Sequence, residues 1–136
     1  RPDMAIYKFA LLINKKKTIE VYNHGNHFRD FTYIDDLVSV LFGIMQKHLK
    51  IKNSNYFDVF NISSGKKGNI KKILKLLELN LNMKTKIKYI SRQRGDMVGT
   101  CGETKKLKKF ISIIPKTSYA NGIKMFSDWF KKYHRN

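Results

Sequence analysis

A chain of 136 residues with 42% hydrophobic and 12% aromatic side chains is long enough for one folded domain and too apolar to stay disordered. Its formal net charge of +18 admits nucleic acid or another polyanion as a partner, while the single cysteine, Cys101, excludes a disulfide-stapled fold and suits a cytoplasmic, reducing compartment. The longest apolar run, residues 37–45, is broken by Ser39 and Gly43 and is too short to span a bilayer, so no membrane partner is expected.

No charged-then-apolar leader opens the chain, so no secretory signal is expected, and the start of translation is expected to lie upstream or to have been removed. Of the 28 basic residues, 23 are lysine and five are arginine. Lysine, isoleucine and asparagine all have codons rich in A and T, so compositional drift decorating a solvated surface accounts for the charge. A selected basic patch is the other reading, although lysines without a groove or motif specify nothing.

Taken in order, residues 4–14 are largely apolar and end at Lys15, Lys16 and Lys17, which predicts a buried helix whose carboxyl end meets positive charge and which closes one wall of a site. Residues 19–23 read as a short strand, residues 23–26 as a turn, and residues 27–34 as a second strand carrying Arg29. Asp35 and Asp36 predict a helix start, by capping free amides and by placing negative charge at the positive end of the dipole. The helix that follows is apolar nearly all round, so it is predicted to be covered on several sides.

A polar loop at residues 52–55 leads to residues 56–62, whose few polar positions predict a strand covered on both faces in a parallel sheet. Gly65, Lys66, Lys67 and Gly68 read as a turn before a helix capped by Asn69, in which Ile70, Ile73, Leu74, Leu77 and Leu81 recur at helical spacing. Residues 86–90 form a short strand entering a loop at residues 91–96, and residues 104–110 a short basic helix. The final helix, residues 118–134, carries Ile123, Phe126, Trp129, Phe130 and Tyr133 as an amphipathic stripe.

Arg29 is the leading functional candidate, because a planar guanidinium meets phosphate oxygens with two parallel hydrogen bonds. Its structural alternative is a salt bridge to Asp30 or Asp36. His24 and His27 lack the further ligands of a metal site and read as turn residues. The Gly65 to Gly68 stretch misses the spacing of a phosphate loop; it does match the G-x-x-G of RNA-binding KH domains, although a strand rather than a helix precedes it here. None of the seven tyrosines stands four residues before a lysine, and no dinucleotide-binding glycine fingerprint occurs.

The stretch Arg29-Asp30-Phe31-Thr32-Tyr33-Ile34-Asp35-Asp36 resembles the R-D-F-x-Y-I/V-x-D segment of NAD-dependent nucleotide-sugar epimerases and dehydratases, the extended short-chain dehydrogenase family. In the same order fall Arg1-Pro2-Asp3-Met4-Ala5, Glu20-Val21-Tyr22-Asn23-His24-Gly25, Phe60-Asn61-Ile62, Gln93-Arg94-Gly95-Asp96, Thr100, and the closing Gly122, Ile123, Phe126 and Trp129. The match is strongest to the glucuronate-type 4-epimerases, in which glutamine often stands at the position of Gln93.

The resemblance implies a mixed α/β fold. Residues 1–136 would be the carboxyl-terminal, substrate-binding portion, and the strand at residues 56–62 would complete the parallel Rossmann sheet of an amino-terminal half absent from this sequence. It implies 4-epimerisation of UDP-glucuronate or UDP-galacturonate through a 4-keto intermediate, with NAD bound by that absent half. UDP-sugar contacts are then implied for Arg1 beside the uronate, Tyr22 as a wall for the nucleotide, Arg29 on the pyrophosphate, and Gln93 and Asp96 on the nucleotide and its ribose. The 136 residues alone are expected to be inactive, and the whole enzyme to be a possible homodimer. The rival reading is a basic, non-enzymatic RNA- or polyanion-binding module, or an inactive gene remnant.

Overall fold

The computed structural model describes residues 3–52 and 55–134. Its elements follow in the order α1 (Ala5–Asn14), β1 (Ile19–Val21), a 3-10 turn (Tyr22–Gly25), β2 (Phe28–Asp30), α2 (Ile34–His48), β3 (Lys67–Asn69), α3 (Ile70–Leu81), β4 (Ile87–Tyr89), α4 (Lys105–Phe110) and α5 (Tyr119–Tyr133). The strands form two pairs. β1 runs parallel to β4 with Ile19 opposite Ile87, and β2 runs antiparallel to β3 with Arg29 opposite Gly68.

Helix α3 is the centre of the larger core. Asn69 closes β3 and caps α3 at once, its Oδ1 accepting from the amides of Lys71 and Lys72 at 2.9 and 3.4 Å. Ile73, Leu74 and Leu77 then recur at spacings of one and three and are buried, while Lys72 and Lys75 point to solvent. Packed against them are Phe9, Ala10 and Ile13 of α1, Ile19 and Val21 of β1, and Ile123 and Phe130 of α5. Buried Glu78 accepts from the Thr85 amide at 3.0 Å, and Thr85 Oγ1 donates to the Lys17 carbonyl at 2.8 Å. These bonds tie the turn after α3 to the turn after α1, which brings β4 alongside β1.

The sequence reading departs from the structure in four places. The strand predicted over residues 27–34 is only Phe28–Asp30, because β3 offers three pairing residues and Thr32 and Tyr33 already lead into α2. Asp35 and Asp36 lie in the first turn of α2 but do not cap it. The cap position is Tyr33, without a side-chain bond, and Asp36 Oδ2 accepts instead from the amides of Lys116 and Thr117 at 3.0 and 2.7 Å. The Gly65 to Gly68 stretch is not merely a turn, since Lys67 and Gly68 pair with β2.

The fourth departure concerns α2 and residues 56–62. One side of α2 packs Val40 and Gly43 against Leu107, Ile111 and Ile113, but the opposite stripe is open: Ile34, Val38, Leu41, Phe42, Met45 and Leu49 are each half exposed or more. Residues 56–62 belong to no sheet. Their burial nonetheless alternates, with Tyr56, Asp58, Phe60 and Ile62 turned inward and Phe57 and Val59 outward at 86% and 64% exposure. Phe110 of α4 holds the inward side, its ring 4.6 Å from Phe60 and stacked on Tyr56 at 6.1 Å, and Lys106 pairs with Asp58. A strand needs neighbours to supply its ladder, and no described strand lies beside this one.

Asn69→Ala removes the acceptor for two amides at the start of α3, so it is expected to lower stability by about 1 kcal/mol, read as a fall in the urea midpoint at unchanged slope.

Candidate functional site

Strand β2 is short, but both of its edges are occupied. On one side it pairs with β3, a ladder extended by the Ile70 amide donating to the His27 carbonyl at 3.1 Å. On the other, Phe28 donates to the Val98 carbonyl at 3.0 Å and accepts from the Thr100 amide at 3.2 Å. Side chains alternate along such a strand, so His27 and Arg29 share one face and Phe28 and Asp30 the other.

On the first face, the turn at residues 93–96 folds back over β2, its Asp96 amide donating to the Gln93 carbonyl at 3.3 Å and Gly95 taking a left-handed φ of 81°. This delivers Asp96 between the two basic side chains. Arg29 Nη2 donates to Asp96 Oδ1 at 3.0 Å, Arg29 Nη1 donates to the Phe28 carbonyl at 3.0 Å, and His27 Nε2 stands 3.2 Å from Asp96 Oδ2. Arg29 and Asp96 are both about one-third exposed, leaving the pair open to a ligand, whereas His27 is buried. The structural alternative for Arg29, a salt bridge to Asp30 or Asp36, is not what forms; its partner is Asp96, 67 residues away.

On the second face, Asp30 accepts five hydrogen bonds: from the Ser64 amide at 2.9 Å and hydroxyl at 2.6 Å, the Gly65 amide at 2.9 Å, the Gly102 amide at 3.2 Å, and the Cys101 thiol at 3.8 Å. Partial burial pushes the carboxyl up, but these donors outweigh it and hold Asp30 below the usual carboxylate range. Asp30 is therefore structural, pinning two loops to the back of the strand that presents Arg29.

Tyr22 opens the 3-10 turn, half buried, and the turn itself is strained: Asn23 and His24 each take φ 49° and Gly25 takes 75°. Asparagine and histidine tolerate this region better than most residues, and such strain concentrates at functional sites. Lys71 lies across the turn, donating to Asn26 Oδ1 at 3.3 Å with its ammonium 5.5 Å over the Tyr89 ring. Gln93 is exposed and takes part through its carbonyl alone, and neither Tyr22 nor Gln93 bonds Arg29 or Asp96 through its side chain. Arg1 lies outside the described residues. Of the five residues implied as UDP-sugar contacts, the structure brings Arg29 and Asp96 together, a pairing the sequence reading did not make, and it adds His27 and Asp30, for which strand alternation around Arg29 was the signal.

Beside β2, an apolar groove of about 750 Å³ runs between α1, α5 and the entry to α2, lined by Tyr7, Phe31, Tyr33, Phe126, Trp129 and Tyr133. The predicted stripe of α5 is therefore divided. Ile123 and Phe130 are core, while Trp129 and Tyr133 are 48% and 62% exposed along the groove.

Residues 1–63 match the family model for the NAD dependent epimerase/dehydratase family. With the α/β fold, this makes the chain similar to the carboxyl-terminal part of that family's members. Its relatives include the uncharacterized protein MJ1055 of Methanocaldococcus jannaschii, 40% identical over 96% of this chain and 38% of that protein, and the UDP-glucuronate 4-epimerase of Thermodesulfobacterium geofontis, 31% identical over 97% of this chain and 39% of that protein. The fold is shared with the UDP-glucuronic acid 4-epimerase of Bacillus cereus solved with UDP-glucuronic acid and NAD, at a TM-score of 0.81 and 24% identity over 98% of this chain and 41% of that one. The chain spans about two-fifths of the length of these relatives.

Because the folded-state pKa of Asp30 lies below its unfolded value, its stabilisation is present above about pH 4 and is lost as pH falls through the folded pKa. Asp30→Asn is expected to cost about 2 kcal/mol at pH 7 and to flatten the acid limb of the stability curve, measured as urea midpoints between neutral and acid pH.

Proposed function

We propose that this chain is the UDP-binding portion of an NAD-dependent 4-epimerase acting on a UDP-linked uronic acid. The observation that carries the reading is the partly exposed Arg29–Asp96 pair, built from two distant stretches by the edge of β2. A guanidinium there suits a diphosphate, and an adjacent carboxylate suits ribose hydroxyls. The uronate assignment is supported by the relatives named as UDP-glucuronate 4-epimerases. Firm hold on the unreacting nucleotide leaves the sugar free to turn over between oxidation at C4 and reduction on its other face.

The described residues do not themselves fit NAD. The helix start that comes nearest to a dinucleotide site, at α3, has its second and third amides already occupied by Asn69, so no free amides face a pyrophosphate there. NAD and the tyrosine and lysine of catalysis are therefore assigned to a Rossmann portion outside these 136 residues, without which no turnover is expected. Two surfaces suit its docking. Residues 56–62 alternate like a strand and lack a ladder, and the outer stripe of α2 is apolar from Ile34 to Leu49. The rival polyanion reading gains nothing from the G-x-x-G stretch, whose last two residues are tied into a β pair rather than set between helices.

In the whole enzyme, Arg29→Ala is expected to weaken UDP-sugar binding at least about tenfold. Isothermal titration with UDP-glucuronate decides it: unchanged affinity would remove Arg29 from the site and the reading with it.

A further inference from the structure

We infer that His27 is the positioning residue for Asp96, holding its carboxylate in place when Arg29 turns toward a bound diphosphate. The inference rests on the nucleotide-site reading above and goes one step inside it.

His27 is 6% exposed, and its Nε2 has no hydrogen-bond partner among the described residues. Asp96 Oδ2 is 3.2 Å away, within reach in distance, but the ring is turned so that the bond is not made. A buried imidazole nitrogen without a partner is costly, and the structure offers it one acceptor that a small rotation would reach. The backbone that carries the ring is fixed, since the His27 carbonyl accepts from the Ile70 amide at 3.1 Å and ties the residue to the start of α3.

Asp96 is held by Arg29, which donates to Oδ1 at 3.0 Å while its other terminal nitrogen serves the Phe28 carbonyl at 3.0 Å. Each terminal nitrogen thus gives one of its two N–H groups to the protein and keeps one for a ligand. The five donors share one rigid plane, so a guanidinium that turns to present two parallel bonds to a diphosphate is drawn off Asp96. A carboxylate released in this way, on a turn whose glycine has a left-handed φ of 81°, would be free to rotate just when it must accept ribose hydroxyls. An Nε2–H bond from His27 to Oδ2 prevents that, whether the ring is neutral or protonated, and leaves lone pairs on both oxygens for the ribose. His27 thus couples to the ribose through Asp96, not to the phosphates.

That separation makes the test specific. In the full-length protein, UDP and inorganic pyrophosphate are titrated against wild type, His27→Leu and His27→Gln by NMR, with thermal melts confirming that each variant is folded. His27→Leu is expected to weaken UDP about five- to tenfold while leaving pyrophosphate within about twofold of wild type. His27→Gln, which keeps a donor, is expected to recover most of the UDP affinity. Equal UDP affinity in His27→Leu and wild type would overturn the inference, as would a parallel loss of UDP and pyrophosphate, or a glutamine variant no better than leucine. A wild type that binds neither ligand would instead overturn the nucleotide-site reading on which the inference rests.

Discussion

Five donors from two distant stretches converge on the carboxylate of Asp30, and the geometry of the site depends on that convergence. Strand β2 has three residues, too few to be rigid by ladder bonds alone. Asp30 adds the loop at Ser64 and Gly65 and the loop at Gly102 to its back face, and the fit is close, since a Cβ at Gly102 would collide with the Ser63 side chain. With the back of the strand fixed, Arg29 and His27 have defined positions on the front, and the turn carrying Asp96 has something definite to close upon. The Arg-Asp dipeptide thus divides its labour by strand alternation, one side chain reaching the partly exposed front face and the next holding the strand that presents it.

How much of this could be read from the amino acids depended on the range over which each signal acts. Helices α1, α3 and α5 were legible because a buried stripe at helical spacing, or an asparagine or serine before it, is local information. Asn69 caps as expected, and Ser118, read only as the start of the final helix, caps it with Oγ accepting from the Asn121 amide at 3.2 Å. Asp36 shows the limit. An aspartate at a helix start caps it by default, but here two amides 80 residues later compete for the same oxygen and win. Strand alternation could place Asp30 and His27 on their faces, but their partners were unreadable for the same reason: they lie 34 to 72 and 69 residues away, and composition carries no trace of such pairings.

The parts of the sequence that most strongly predicted burial are the parts that are most open. Helix α2 was read as covered on several sides because it is apolar nearly all round, and residues 56–62 as a two-faced strand for the same reason. The burial of each is one-sided: Val40 and Phe60 face the small cluster around Leu107, and Phe42, Leu41, Phe57 and Val59 face away. Pattern reports what a segment is built to contact, not what it is contacting. The two segments lie against one α4-centred cluster and leave their other sides bare together. A joint apolar surface of this kind is what the docking face of a further layer requires.

The charge of +18 bears less on recognition than its size implies. Several lysines are accounted for by carboxylates on the surface, Lys88 with Glu20 at 3.1 Å, Lys84 with Glu78 at 3.5 Å and Lys131 with Asp128 at 3.7 Å, all pairs whose lysine is exposed and whose contribution is small. Others cross aromatic rings, as Lys67 does over Phe28 at 5.8 Å. The site itself is assembled from one of the five arginines, a histidine and an aspartate, residues with directional hydrogen bonds and fixed planes. A polyanion binder would place its cations along a groove, where number matters more than geometry. Here a single guanidinium is aimed by a strand, braced by a carboxylate and flanked by a buried imidazole, an arrangement that suits the proposed reading of one small anion at one orientation better than a polyanion.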